Sequence, residues 1–206
     1  MTWVRTLDED QVAGELRTRY EADLDKLGFV MEATKALTAN PELAVAVEAF
    51  EAAVKRASHL TPRERRLIHL LVADRIGSSY CVLVYAIAML QELGGVEGIK
   101  AVLRDHHSAP QLTPREAAIL DYALAAAAGR PRQEDVVRLR AVGLEDAAIV
   151  DVAATAALRL FGSRVYDALG VEADEFFLDQ HDLMELVRPA PSAPALLVSE
   201  GEQHGR

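Results

Sequence analysis

The 206-residue chain has a single cysteine, Cys81, few aromatic residues (5%) and no long apolar run. One thiol excludes an intrachain disulfide, and with it both a structural bridge and a resolving partner for a dithiol cycle. The scarcity of aromatics leaves the core to small side chains, and alanine-rich stretches favour closely packed helices because Ala gives up no side-chain entropy. The longest apolar run, residues 81–90, is about half of the roughly 20 residues needed to cross a bilayer. No charged-then-apolar leader pattern opens the sequence, so the expected location is the cytoplasm. Basic residues are also short, with 22 Lys and Arg against 32 Asp and Glu and a net charge of −10. That balance repels phosphate backbones and anionic membrane surfaces, and no basic stripe overrides it, so neither nucleic acid nor membrane is an expected partner. What is present, 50% hydrophobic and 26% charged residues, is the balance of a globular protein with one sizeable core.

Helix punctuation gives the fold class, all-α. Asn40-Pro41 reads as an N-cap followed by proline in the first turn, with Leu43, Val47, Phe50 and Val54 recurring at helical spacing up to about Ser58. Thr61-Pro62-Arg63-Glu64 has the pattern of a capping box and predicts a helix over 62–76. After Gly77 a strongly apolar helix is expected over 79–93, stopped by Gly94-Gly95. Residues 112–116 (Leu-Thr-Pro-Arg-Glu) repeat residues 60–64 and again precede an apolar helix, which points to equivalent helix starts and an internal repeat of helical hairpins. Further helices are expected over 133–142 and 145–168, with an acidic segment at 172–187 and an N-terminal helix over 7–27. The organisation expected is a single helical domain, 1–188, with a flexible proline-containing tail, 189–206.

Several of these segments together resemble the alkylhydroperoxidase D-like, peroxidase-related branch of the carboxymuconolactone decarboxylase family. They are Lys35-Ala36-Leu37 leading to Asn40-Pro41-Glu42-Leu43, the stretch from Leu60 to Ile68, Tyr80-Cys81-Val82, the second Leu-Thr-Pro-Arg-Glu, and the run from Asp167 to Glu172, in order over roughly residues 20–177. The resemblance implies an AhpD-like helical bundle whose subunits form homo-oligomers, trimers or hexamers, acting on a small-molecule substrate. It also implies a redox pattern: a glutamate, the first cysteine of a C-x-x-C twelve residues on, and a histidine four residues after the second cysteine. One thiolate attacks peroxide, the other resolves the sulfenic acid, and the carboxylate and imidazole relay protons.

On this sequence the pattern falls on Arg66, Ser78, Cys81 and Tyr85, so only the second cysteine is kept. The dithiol cycle is therefore excluded. Cys81 near a helix start is either a one-cysteine peroxide or thiol centre, helped by the helix dipole and by Arg66, or a packed and inert core thiol. Arg66 reverses the charge of the family's acid and is either an anion clamp for a carboxylate substrate or a solvated helix residue. Tyr85 and Ser78 offer hydroxyls, and Tyr85 is an acid or base if Arg66 lies against it and lowers its pKa. His69, three residues after Arg66, can share its face or simply fill the core. His106 and His107 are adjacent and expected to point apart, which argues against a metal site, and no metal or cofactor is expected. Three functions follow: a peroxidase-related protein with a degenerate C-x-x-C, a cofactor-free lyase or isomerase for a small carboxylate, and a non-catalytic oligomeric protein.

Overall fold

The computed structural model describes residues 2–186; the predicted tail lies outside them. Among the described residues there are eleven helices and no strand. They are α1 (Gly14–Leu27), α2 (Glu32–Ala36), α3 (Pro41–Ala57), α4 (Pro62–Ile76), α5 (Ser79–Met89), α6 (Val96–Arg104), α7 (Pro114–Ala127), α8 (Gln133–Ala141), α9 (Asp146–Ala168), α10 (Glu175–Leu178) and α11 (His181–Met184). None of these helices is long and apolar enough to cross a membrane.

Both Thr-Pro-Arg-Glu starts are complete capping boxes. Thr61 accepts from the Glu64 N–H while the Glu64 carboxylate accepts from the Thr61 N–H, and Thr113 and Glu116 do the same for α7. The two starts also exchange ion pairs: Arg63 Nε stands 2.6 Å from Glu116 Oε1, and Arg115 Nε stands 2.8 Å from Glu64 Oε1. The helix starts are thus equivalent in structure as well as in sequence. At its other end α4 stops on Gly77, whose φ of 76° lies in the left-handed region that glycine tolerates.

Helices α4, α5, α7 and α9 pack on one another around the main core, in which Ile68, Leu70, Val72, Ala86, Leu120 and Val152 are fully buried. A second, smaller core of Val12, Leu16, Tyr20, Val30 and Ala44 holds α1 and α3 together. These N-terminal helices lie over one end of α5 and α9 and make one wall of the cavity described below.

The differences from the sequence reading have local causes. α1 begins at Gly14 rather than near Leu7 because the preceding segment is held by side chains. The Leu7 N–H donates to Thr38 Oγ1 at 2.9 Å, the Asp8 N–H to Gln11 Oε1 at 2.8 Å, and the Tyr20 hydroxyl to the Leu7 carbonyl at 2.8 Å. α5 ends at Met89, and residues 90–94 form a turn closed by the Gly95 N–H on the Leu90 carbonyl. The apolar stripe of α3 is not a core face throughout, since Leu43 and Phe50 are 45% and 56% exposed.

Candidate active site

Cys81, in the first turn of α5, is buried and lines a cavity of about 170 Å³ between α5, α9 and the N-terminal helices. Tyr85, one turn further along α5, lines the same cavity, as do Tyr80 beside the thiol and Tyr166 and Arg159 from α9. Glu48, Glu51 and Lys55 of α3 add charged groups to its wall.

Arg159 is the group that sequence reasoning missed. Its guanidinium is buried, Nη1 donates to the Tyr85 hydroxyl at 3.1 Å, and the group lies 5.4 Å from the Tyr85 ring centre and 5.8 Å from that of Tyr166. Nε has no hydrogen-bond partner, and no salt bridge to Arg159 occurs among the described residues. Burial pulls the guanidinium pKa down, but the negative forms of Tyr85, Cys81 and Tyr166 outweigh it and leave the net shift upward, so this side chain is a permanent cation. Gly162, one turn along α9, makes the arrangement possible: a Cβ there would come within 2.3 Å of Arg159 Nη2. The sequence signal was an arginine followed three residues later by a buried glycine inside an uninterrupted helix.

Around this cation the tyrosines are held neutral. Burial raises the Tyr85 pKa more than Arg159 lowers it, so the condition of a depressed value is not met and Tyr85 is a hydroxyl rather than a phenolate. Tyr166 is raised by burial and by Glu51. Tyr80 is raised by burial and by Asp174; its hydroxyl donates to Asp174 Oδ2 at 3.0 Å and accepts the Ala33 N–H at 3.2 Å, tying α5 to α2 and to the segment before α10.

The other predicted site residues separate. His69 is buried with its ring stacked on Tyr85, centroids 4.7 Å apart, and its Nδ1 has no hydrogen-bond partner. Burial, with Arg159, Lys55 and Arg65 adding to it, lowers its pKa to about 3, so it is a neutral ring behind the cavity wall. Ser78 is fully buried and donates to Asp167 Oδ1 at 2.8 Å, which fastens the start of α5 to α9 and keeps its hydroxyl out of the cavity. Arg66 does not line the cavity. It forms an ion pair with Glu92, which Arg63 also approaches, and the arginine that lines the cavity with Cys81 is Arg159 of α9.

No family model and no curated protein matches the chain. Solved structures do. A protein from Ralstonia eutropha JMP134, described as an alkylhydroperoxidase AhpD core and uncharacterized peroxidase-related protein, superposes with a TM-score of 0.77 at 23% identity, over 85% of this chain and 94% of that one. The chain has the AhpD-like fold. An uncharacterized peroxidase-related protein from Silicibacter sp. TM1040 matches the AhpD-like chain with a TM-score of 0.71 at 25% identity, over 84% and 93%. The debrominase Bmp8, solved as a cysteine-to-alanine variant in complex with 2,3,4-tribromopyrrole, gives 0.70 at 19% identity, over 85% and 95%. Against these AhpD-like structures the all-α architecture read from the helix punctuation stands.

Proposed function

We propose that the AhpD-like chain is a one-cysteine thiol enzyme of the peroxidase-related kind, with Cys81 as nucleophile and Arg159 as its electrostatic partner. The observation that supports this is the shared cavity: the only thiol of the chain faces the same 170 Å³ space as a buried arginine that forms no salt bridge among the described residues. In the proposed reaction the Cys81 thiolate attacks the distal oxygen of a hydroperoxide and the O–O bond breaks. The sulfur becomes a sulfenic acid and the departing alkoxide takes up a proton as the alcohol. With no second cysteine, one external thiol condenses with the sulfenic acid, releasing water, and a second displaces Cys81 from the mixed disulfide. Arg159 and the Tyr85 hydroxyl stabilise negative charge as it passes from sulfur to oxygen.

Hydroperoxide consumption with a small external thiol is the measurement. Cys81→Ser is expected to abolish it, and Gly162→Ala to lower it at least about tenfold by displacing the guanidinium, with helicity retained. Unchanged turnover in Cys81→Ser would sink the proposal. The similarity to a debrominase makes halogenated aromatics the second class of electrophile to offer in the same assay.

Arg159 also favours a second reading, a lyase or isomerase whose small carboxylate substrate pairs with Arg159 rather than with Arg66. Activity on such a substrate that survives Cys81→Ser and fails in Arg159→Ala selects it.

A further inference from the structure

We propose a divalent transition-metal site, separate from the Cys81 cavity, built by His106, His107 and Asp121. Adjacent histidines point apart on a helix, but these two are not on one. α6 ends at Arg104, and Asp105 then organises the turn: its carboxylate accepts the His107 N–H at 3.0 Å and the Ser108 hydroxyl at 2.7 Å. In that turn both rings swing to the same side, their centroids 4.4 Å apart, and face α7.

His106 Nε2 lies 2.9 Å and His107 Nε2 3.0 Å from one oxygen, Asp121 Oδ1, and the three potential ligand atoms all lie within 4.8 Å of one another. Ligands held at the usual zinc distances of about 2.0–2.2 Å in a tetrahedron stand about 3.4 Å apart, so small ring movements admit the ion. Two imidazoles and one carboxylate suit Zn²⁺ or its first-row neighbours rather than Ca²⁺ or Mg²⁺, which prefer all-oxygen shells. Three protein ligands leave one position of a tetrahedron for water or an outside ligand.

The surroundings allow the cation in. His107 is 59% exposed in its side chain, His106 is 13% exposed and fixed, and the three residues edge an open depression of about 350 Å³ lined also by Leu112, Thr113 and Ala117. It shares no lining residue with the thiol cavity. The site would clamp the α6–α7 connection onto α7, immediately beside the capping box that starts that helix.

The test is calorimetric titration of the chelator-treated full chain with Zn²⁺ alone, alongside the visible spectrum after Co²⁺ addition. One equivalent of Zn²⁺ is expected to bind, with tetrahedral-type Co²⁺ absorption. His107→Ala, at an exposed position that does not disturb folding, and Asp121→Asn should each weaken binding at least about tenfold. His59→Ala, at a histidine elsewhere that also meets a carboxylate, should bind as wild type. No Zn²⁺ binding by the wild-type chain, or equal binding by His107→Ala, overturns the proposal.

Discussion

Arg159 and His69 share one neighbourhood and respond to it in opposite ways: burial opposes charge on both, yet the guanidinium pKa ends above its ordinary value and the group keeps its charge, whereas the imidazole, opposed by burial and by Arg159, Lys55 and Arg65, gives its charge up. The consequence for His69 has a definite sign. Its folded pKa, about 3, lies below the ordinary 6.5, so between these values the unfolded chain holds a proton that the folded chain does not. The His69 contribution to stability is therefore flat above pH 6.5 and falls as the pH drops toward 3, by up to about 1.4 kcal/mol per pH unit. Urea unfolding at a series of pH values should show this slope, and His69→Phe should flatten it over the upper part of the range. Equal slopes in the two proteins would mean that His69 is charged in the fold. At this scale sequence reading reached Cys81 and Tyr85 through the family resemblance, whose redox pattern falls on both of them, and the helical period of α5 puts the two on one face. It did not reach Arg159, which sits 78 residues from Cys81 (159 minus 81) and meets it only by tertiary packing. It left Arg66 between an anion clamp and a solvated helix residue, because a motif position fixes a residue along α4 and leaves open which neighbour its side chain finds, here Glu92.

The equivalent starts of α4 and α7 are the elements most legible in the sequence, since proline, the capping threonine and the reaching glutamate act within four residues of each other. Their cross-links were not legible, although the four residues that make them were in view. Glu64 is buried, which pulls its pKa up, yet the Thr61 N–H, Arg115 and the Thr61 hydroxyl outweigh burial and leave it lowered. Arg115→Ala removes one of these and leaves a buried carboxylate under-solvated, so an expected loss of about 1–3 kcal/mol should appear as a lower urea midpoint with unchanged slope. Arg115→Ala in a Glu64→Gln background should cost less than in the wild type, and full additivity would deny the coupling. The short elements escaped sequence reading for the opposite reason. α2 spans Glu32–Ala36 and α10 spans Glu175–Leu178, too few residues for a hydrophobic period to register, and both are fixed by contacts across the chain, such as the Glu32 N–H on Asp174 Oδ1 at 2.9 Å.

At the scale of the molecule there are two cores of unequal size, and the wall of the thiol cavity is assigned to the smaller one. α1 and α3 are joined through Val12, Leu16, Tyr20, Val30 and Ala44, outside the core that unites α4, α5, α7 and α9. A unit with few buried contacts opens at a lower free energy than the whole. Alkylation of native Cys81 by a bulky maleimide should therefore accelerate at urea concentrations well below the global transition, with a denaturant slope smaller than that of complete unfolding. A labelling rate that follows global unfolding instead would mean that the N-terminal helices and the main core come apart together. The buried thiol is then a probe of how the smaller core opens. Because Tyr80 ties α5 to Ala33 on one side and to Asp174 on the other, a cross-link between these segments lies next to Cys81, and Tyr80→Phe, which removes it, is expected to speed that labelling.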